Sequence, residues 1–391
     1  MSDHLPGESP LSARAGRYVR QPEGYAAFVP RPLPPDPPIA FDGELQACLS
    51  KADRALGRLD GSIQTLPDPG LFVFMYIRKE AVLSSQIEGT ESSINDVLEV
   101  EAEVFDPERP KDVGEVLNYI SAMNLGLERL RTLPLSVELV RDIHRKLLRG
   151  VRGEDKQPGE LRETQNWIGP PGCAIENATF VPPPPSELVP ALAALEGFLT
   201  DETTEIPALV RIGLAHAQFE TIHPFRDGNG RVGRLLITFS LCQRKILLRP
   251  VLYLSHYFRA HQRAYYERLQ ATRDRGDWEG WLKFFLSGIA TVSNQASETA
   301  RGIVDLRERH RALIAAEFGR AVGHGLQVLE YLLRRPIIQI KEVQQLLDIT
   351  YPGANNLVRR LVEAGILEEI TGYARNRRFR YRAYIDLFAD S

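Results

Sequence analysis

Cysteine is scarce in this chain: Cys48, Cys173 and Cys242 are the only three among 391 residues. They lie far apart and match no disulfide framework or metal-ligand spacing. None of the eight histidines sits in an H-E-x-x-H or comparable pair, so a Cys/His metal site is not expected. Long apolar runs are missing too, and nothing approaches the roughly 20 residues needed to cross a bilayer. The opening MSDHLPGESPLSARAG has no apolar core of the kind a secretory signal carries. Charge of one sign is not in excess, with 48 Lys and Arg against 51 Asp and Glu, which gives no overall pull toward nucleic acid or a membrane surface. These absences point to a reducing, cytoplasmic setting.

Apolar residues make up 43% of the chain, enough for a packed core, and the length suits two or three domains. Residues 1–40, with Pro30, Pro32, Pro34, Pro35, Pro37 and Pro38, read as an extended Pro-rich arm without a core of its own. An N-terminal helical region is expected over 41–110, with a helix from Leu71 to Ile87 and a stop at Gly89. Further helices are expected over 113–130, 135–148, 186–198, 207–219 and 230–244. Between them, Trp167-Ile168-Gly169 and Ala178-Thr179-Phe180-Val181 read as a β-hairpin closed by the stiff run Pro182–Pro185. The fold class is mostly α: a helical core over 111–320 with a β-hairpin flap. A separate module follows over 321–391, where three helical patterns and two short strands read as a winged helix-turn-helix.

The chemistry is concentrated in His223-Pro-Phe-Arg-Asp-Gly-Asn-Gly-Arg-Val-Gly-Arg234. This loop lies between two helical patterns. The first N–H groups of the second helix have no intrahelical partner and carry partial positive charge. Gly228 and Gly230 let a ligand approach the backbone. Such a helix start binds phosphate. Arg231 and Arg234 are one turn apart, and a guanidinium fork suits phosphate oxygens. Asp227 is an odd neighbour for an anion unless a cation lies between, and one carboxylate plus substrate phosphates is the usual way to hold Mg²⁺. His223 titrates near neutrality and can take a proton from a hydroxyl. The set implies transfer from a Mg²⁺-nucleotide to a hydroxyl. Gly228–Gly233 also matches G-x-G-x-x-G, but a helical pattern precedes it and no acidic residue occurs between Asp227 and Glu267, so a dinucleotide fold is excluded.

These residues resemble the Fic family, whose motif H-P-F-x-[DE]-G-N-G-R-x-x-R is met at every fixed position of 223–234. The resemblance implies a protein adenylyltransferase that moves AMP from ATP to a Ser, Thr or Tyr hydroxyl of a target protein. It implies His223 as general base and Phe225 as a core anchor. Asp227 would hold Mg²⁺. Gly228, Asn229 and Gly230 would form an anion hole, with Arg231 and Arg234 on the terminal phosphates. Doc-like kinases of the superfamily carry lysine where Gly230 stands, which favours adenylylation. Ser84-Ser85-Gln86-Ile87-Glu88-Gly89 resembles the family's inhibitory helix, [ST]-x-x-x-E-[GN], expected here over about 77–89. Glu88 would then pair with Arg234 and displace the γ-phosphate contact. The hairpin over 166–181 resembles the flap that aligns a target segment by strand pairing. Tyr265 and Tyr266 resemble the residues that border the adenine, with core packing as the equal alternative. Arg273 stands near the place where the family often has an asparagine. The resemblance spans about residues 25–320 and is compatible with a homodimer.

In the C-terminal module, Asn355, Asn356, Arg359 and Arg360 lie on the expected recognition helix, and Arg375, Arg377, Arg378, Arg380 and Arg382 on the wing. Such clustering suits DNA phosphates, although Glu363, Glu368 and Glu369 oppose it. Two other functions stay open: a DNA-binding regulator that uses the pocket as a nucleotide sensor, and an enzyme that removes AMP.

Overall fold

The computed structural model describes residues 12–64, 69–373 and 375–389; the first part of the expected arm, residues 1–11, lies outside them. The rest of the arm is not bare. β1 (Gly16–Arg20) and β2 (Ala26–Pro30) form an antiparallel hairpin with Tyr18 opposite Phe28. Phe28 is buried, and its ring lies 6.1 Å from that of Phe180. Its N–H donates to Val181 O at 2.9 Å. The hairpin owes its place to this distant docking, which no local pattern displays.

The helical region begins with α1 (Gly43–Gln64), α2 (Pro69–Ile87), α3 (Ile94–Glu101), α4 (Val113–Arg129) and α5 (Val137–Leu147). Gly89 follows α2 in the left-handed region at φ 90°. α3 starts with a Ser93/Asp96 capping box, and Ser136 caps α5 by accepting from Leu139 N–H at 3.3 Å. After a loop come α6 (Pro185–Thr200), α7 (Ala208–Ile222), α8 (Asn229–Gln243), α9 (Ser255–Ala260), α10 (Gln262–Arg275) and α11 (Trp278–Glu317). Every residue of α7 from Leu209 to Ile222 is buried, and so is nearly all of α8. A helix buried on all sides belongs at the centre of a domain. The loop between these two helices therefore has both ends fixed in the core. α11, 40 residues long, packs along α1 and runs about 60 Å at 1.5 Å per residue.

The flap is smaller than the expected hairpin. Ile168 and Phe180 form a single antiparallel pair, with N–H···O distances of 2.8 and 3.0 Å. Pro170 and Pro171 have no N–H to extend the ladder, and Ile175–Asn177 turn into a 3₁₀ segment.

The C-terminal module runs α12 (Val322–Arg334), β3 (Ile337–Gln339), α13 (Ile340–Leu347), α14 (Tyr351–Glu363), β4 (Glu368–Glu369), β5 (Arg378–Arg380) and α15 (Arg382–Ala389). The three strands are antiparallel in the order β3-β5-β4. β3 and α15 were not expected from the pattern. The module is docked against the rest: α12 and α15 pack on α11, and Phe388 meets Tyr76 of α2 edge-on at 5.3 Å. Among the described residues no helix is long and apolar enough to span a membrane, and all three cysteine thiols are free.

Candidate functional site

α7 ends where His223 adopts a left-handed conformation, φ 49° and ψ 60°. That region is uncommon for a residue other than glycine. Two contacts hold it. His223 N–H donates to Phe219 O at 2.9 Å. The buried Arg162 donates from Nε to His223 O at 3.0 Å and from Nη2 to Ile222 O at 3.4 Å and to Pro183 O. A guanidinium thus satisfies the orphan carbonyls of the helix end.

The chain then turns inward. Asn229 accepts from Phe225 N–H at 2.9 Å and donates to Phe225 O at 2.8 Å. The Phe225 ring stacks on His144 at 3.7 Å. Gly159 N–H donates to His144 Nδ1 at 2.8 Å, so Nε2 carries the proton and donates to Asp227 O at 2.9 Å. Gly228 opens α8 at φ 76°. The first intrahelical bond of α8 is Val232 N–H to Gly228 O, 3.1 Å, so the N–H groups of Asn229, Gly230 and Arg231 precede it.

Arg234 is the best-held cation of the site. It is 2% exposed and donates from Nε to Ser84 Oγ at 2.8 Å, and from Nη2 to Ser84 O at 3.0 Å and Glu88 Oε1 at 2.6 Å. Burial works against its charge, but Glu88 overrides this and raises its pKa. Burial likewise opposes the Glu88 charge, and Arg234 overcomes it and holds the carboxyl below its ordinary range. Gly230 makes the pairing sterically feasible: a Cβ there would lie 2.4 Å from Glu88 Oε1.

A cavity of about 640 Å³ joins these parts. Glu88, His223, Asp227, Gly230, Arg234, Tyr265 and Tyr266 all line it, with the flap residues Trp167 to Gly169 and Thr179 to Phe180 along one wall. Burial, with the Arg273 and Arg162 cations, pushes the His223 imidazole down to about 3, so it is neutral near pH 7. Asp227 Oδ1 accepts from Gly228 N–H at 2.6 Å. Its Oδ2 faces Gly153, where a Cβ would stand only 2.8 Å away. The missing side chain leaves that carboxylate room, and a lone oxygen donor beside phosphates fits Mg²⁺. Among the described residues no group of three His, Cys, Asp or Glu side chains makes a metal cage. A cation here needs substrate oxygens.

Several expectations need correction. Arg231 does not line the cavity: it is 1% exposed and donates to Glu115 Oε2 at 2.9 Å. Its hydrogen bond goes to Glu115 on α4 and not to the Glu88 carboxylate that holds Arg234. The Asn229 side chain is spent on Phe225, so only its N–H can serve an anion. Tyr265 is 1% exposed and its hydroxyl bonds His216 Nε2 at 2.9 Å, whereas Tyr266 is 48% exposed at the cavity mouth. Of the candidate DNA contacts, Arg378 is buried beside Glu103, and Arg360 donates to Glu317 O and Phe318 O at 2.7 and 3.2 Å. Arg378 is thus withdrawn from solvent, and Arg360 is turned onto carbonyl oxygens. Arg377 bonds Asn355 Oδ1 at 2.8 Å, and Arg359 bonds Asn356 and Glu363. The acidic neighbours supply internally what phosphates would supply.

Glu115, His144, Arg152, Arg162 and Glu220 belong to the site and were not found by motif; Arg273, noted for standing near a family asparagine, joins them. Arg273 lines the cavity and lies over the Phe180 ring at 3.8 Å. Glu220 also lines it, and burial raises its carboxyl to about 7.

Residues 46–128 match the Fic/DOC family N-terminal model and residues 134–241 the Fic/DOC family model. Among curated relatives, "Protein adenylyltransferase Fic" of Culex quinquefasciatus is 31% identical over 43% of this chain and 29% of its own length. "Probable protein adenylyltransferase aq_aa38" of Aquifex aeolicus is 40% identical over 19% of this chain and 22% of its own. The chain thus spans under a third of the curated relatives it matches. A Fic family protein from Desulfovibrio desulfuricans shares the fold, with a TM-score of 0.57 at 22% identity over 88% of this chain and 97% of that one. Motif, fold and both matched regions agree: residues 46–128 and 134–241 carry the two regions of the Fic/DOC family.

Proposed function

We propose that the chain is a protein adenylyltransferase that moves AMP from Mg²⁺-ATP to a Ser, Thr or Tyr hydroxyl of a target protein. The observation that carries this is the shared cavity: a neutral His223, the Asp227 carboxylate, the open start of α8 and Arg234 all face one volume. The triphosphate would lie over the α8 start, its α- and β-phosphates on the free N–H groups. Asp227 would hold Mg²⁺, which supplies charge neutralisation to the triphosphate when bound. Tyr266 would border the base. The incoming hydroxyl oxygen forms a bond to the α-phosphorus, and its proton passes to the His223 imidazole. The bond from that phosphorus to the bridging oxygen breaks, and pyrophosphate leaves with its electron pair. Nothing is oxidised or reduced.

In this state Glu88 occupies Arg234, so we read the chain as autoinhibited, with Ser84 and Glu88 as the latch. ATP could enter, but its γ-phosphate would lack Arg234. The flap pair Ile168–Phe180 offers strand edges for the target segment. We propose the division into a helical region with the inhibitory helix, a Fic core over 111–320 and a winged helix-turn-helix over 321–391, the last on its strand and helix order. The internal engagement of the module's arginines favours the enzyme over a DNA-binding sensor. The test is incubation of the Glu88→Gly protein with labelled ATP, Mg²⁺ and cell lysate, followed by intact-mass analysis. AMP on the protein or a target, abolished by His223→Ala, is expected. A folded Glu88→Gly protein that binds ATP and never transfers AMP overturns the proposal.

A further inference from the structure

We infer that Glu115 is a positioning residue that holds Arg231 away from Asp227 and so keeps the Asp227 carboxylate open to the cavity. This deepens the proposed function and rests on Asp227 serving the Mg²⁺-nucleotide.

Arg231 is a fully buried cation and must have a counter-charge. Two carboxylates are within reach. Glu115 Oε2 is at 2.9 Å, a charge-assisted hydrogen bond, while Asp227 Oδ1 is at 3.8 Å, beyond one. Asp227 and Arg231 are four apart at the start of α8, with the acid on the N-terminal side. That order favours pairing on both ion-pair and helix-dipole grounds. The open contact therefore needs a cause, and Glu115 is the competitor. It is itself buried, at 5% exposure, so its charge is spent on the guanidinium.

Glu115 has a second partner. Arg152, whose side chain is 55% exposed, donates from Nη2 to Glu115 Oε2 at 3.2 Å and to Glu88 O at 3.3 Å. A polar chain thus runs from the end of the latch helix through Arg152 and Glu115 to Arg231. Gly153, the next residue, is the one whose bare α-carbon faces Asp227 Oδ2. The segment that grips the latch end also shapes the space around the carboxylate.

The test uses the full chain in the Glu88→Gly background, with Mn²⁺ as the probe. Binding is followed by electron paramagnetic resonance with a saturating non-hydrolysable ATP analogue. Glu115→Gln should weaken Mn²⁺ uptake by about tenfold or more, the equivalent of one charge-assisted hydrogen bond formed between Arg231 and Asp227. Adding Arg231→Gln should bring uptake back to within about threefold of the parent, because no cation is left to close on Asp227. A purely structural role for Glu115 gives no such recovery. Glu115→Gln binding within twofold of the parent, or weak binding that Arg231→Gln does not restore, overturns the inference. If the single variant does not fold, the double variant and the exposed Arg152→Gln decide: near-parent binding in the first and a loss of up to about fivefold in the second are expected, and no change from Arg152→Gln together with weak binding in the double variant refutes it. A parent protein that takes up no Mn²⁺ with nucleotide defeats the function proposed above and this inference with it. A parent that binds while Glu115→Gln binds equally well overturns this inference alone.

Discussion

Replacing Glu88 by glycine removes one hydrogen bond and one charge, and both effects can be sized. The Arg234–Glu88 contact is 2.6 Å long, with side chains 2% and 30% exposed. A hydrogen bond to a charged group contributes roughly 1.5–3 kcal/mol, which corresponds to about tenfold to more than a hundredfold in occupancy. AMP transfer should rise by that range, since a γ-phosphate no longer competes with a carboxylate for Arg234. The arginine should not wander, because Ser84 Oγ and Ser84 O remain as acceptors at 2.8 and 3.0 Å. Stability should move the other way. Arg234 becomes a buried cation without its carboxylate, and breaking such a pair costs roughly 3–5 kcal/mol in a fully buried case, less here because Glu88 is partly open. The apo variant should therefore melt several degrees below the parent, and Mg²⁺-ATP should recover most of the loss by returning negative charge to Arg234. Intact-mass analysis for AMP and thermal melts with and without nucleotide measure both limbs. A variant that is neither activated nor destabilised would refute the assignment of Glu88 as Arg234's competitor for phosphate.

Four further outcomes follow. The His223 imidazole lies near 3 rather than 6.5, so kcat/KM of the Glu88→Gly protein should stay level from pH 8 to pH 5, and a half-point near 6.5 would show that the base is solvated instead. For stability, His144, His216 and His223 have lowered values of about 4, 3 and 3; what they contribute is present above pH 6.5 and lost as pH falls toward those values. Glu80 and Glu220, raised to about 7, act oppositely: their contribution is present below about 4.5 and lost as pH rises through 7. Denaturant titrations should thus show a shallow decline from pH 6.5 to 4.5 and a steep one below. Phe28→Ala should cost about 3–5 kcal/mol and loosen the flap, raising the KM for a target protein more than that for ATP. Finally, binding to random duplex DNA at 50 mM salt should be weak with a small salt slope, since Arg359, Arg360, Arg377 and Arg378 already have partners; tight, steeply salt-dependent binding in a gel-shift titration would show that those contacts give way.

The central loop was legible because its chemistry is written in consecutive residues. His223, Asp227, Gly228, Gly230 and Arg234 fall in one short run whose geometry is dictated by a helix end, a turn and a helix start. Glu88 was legible for a related reason: Ser84 and Glu88 share a helix face, and both reach Arg234. The helix over 207–219 was equally clear, since Leu209, Ile212, Leu214, Ala215 and Phe219 recur at helical spacing and make a broad buried face.

What escaped notice depends on partners far away in sequence. Glu115 is one acid among many on an ordinary helix, and only the packing of α4 against α8 turns it into the counter-charge of Arg231. Arg162 reads as a surface residue in a loop, yet its guanidinium joins the end of α7 to Pro183. Phe28 sits in a proline-rich stretch that composition marks as an arm, but the flap supplies it with both a ring to pack on and a carbonyl to bond. The two motif arginines make the same point most sharply. Spacing placed Arg231 and Arg234 on a common face as a pair of phosphate ligands. The fold gives each a different carboxylate from the N-terminal half, Glu115 and Glu88, at 2.9 and 2.6 Å. Only Glu88 lies at the cavity, where a phosphate can displace it. Glu115 is buried and lines no part of that cavity. Two cations that look equivalent in the motif are therefore unequal in the folded chain: Arg234 faces the cavity beside Glu88, and Arg231 is buried against Glu115.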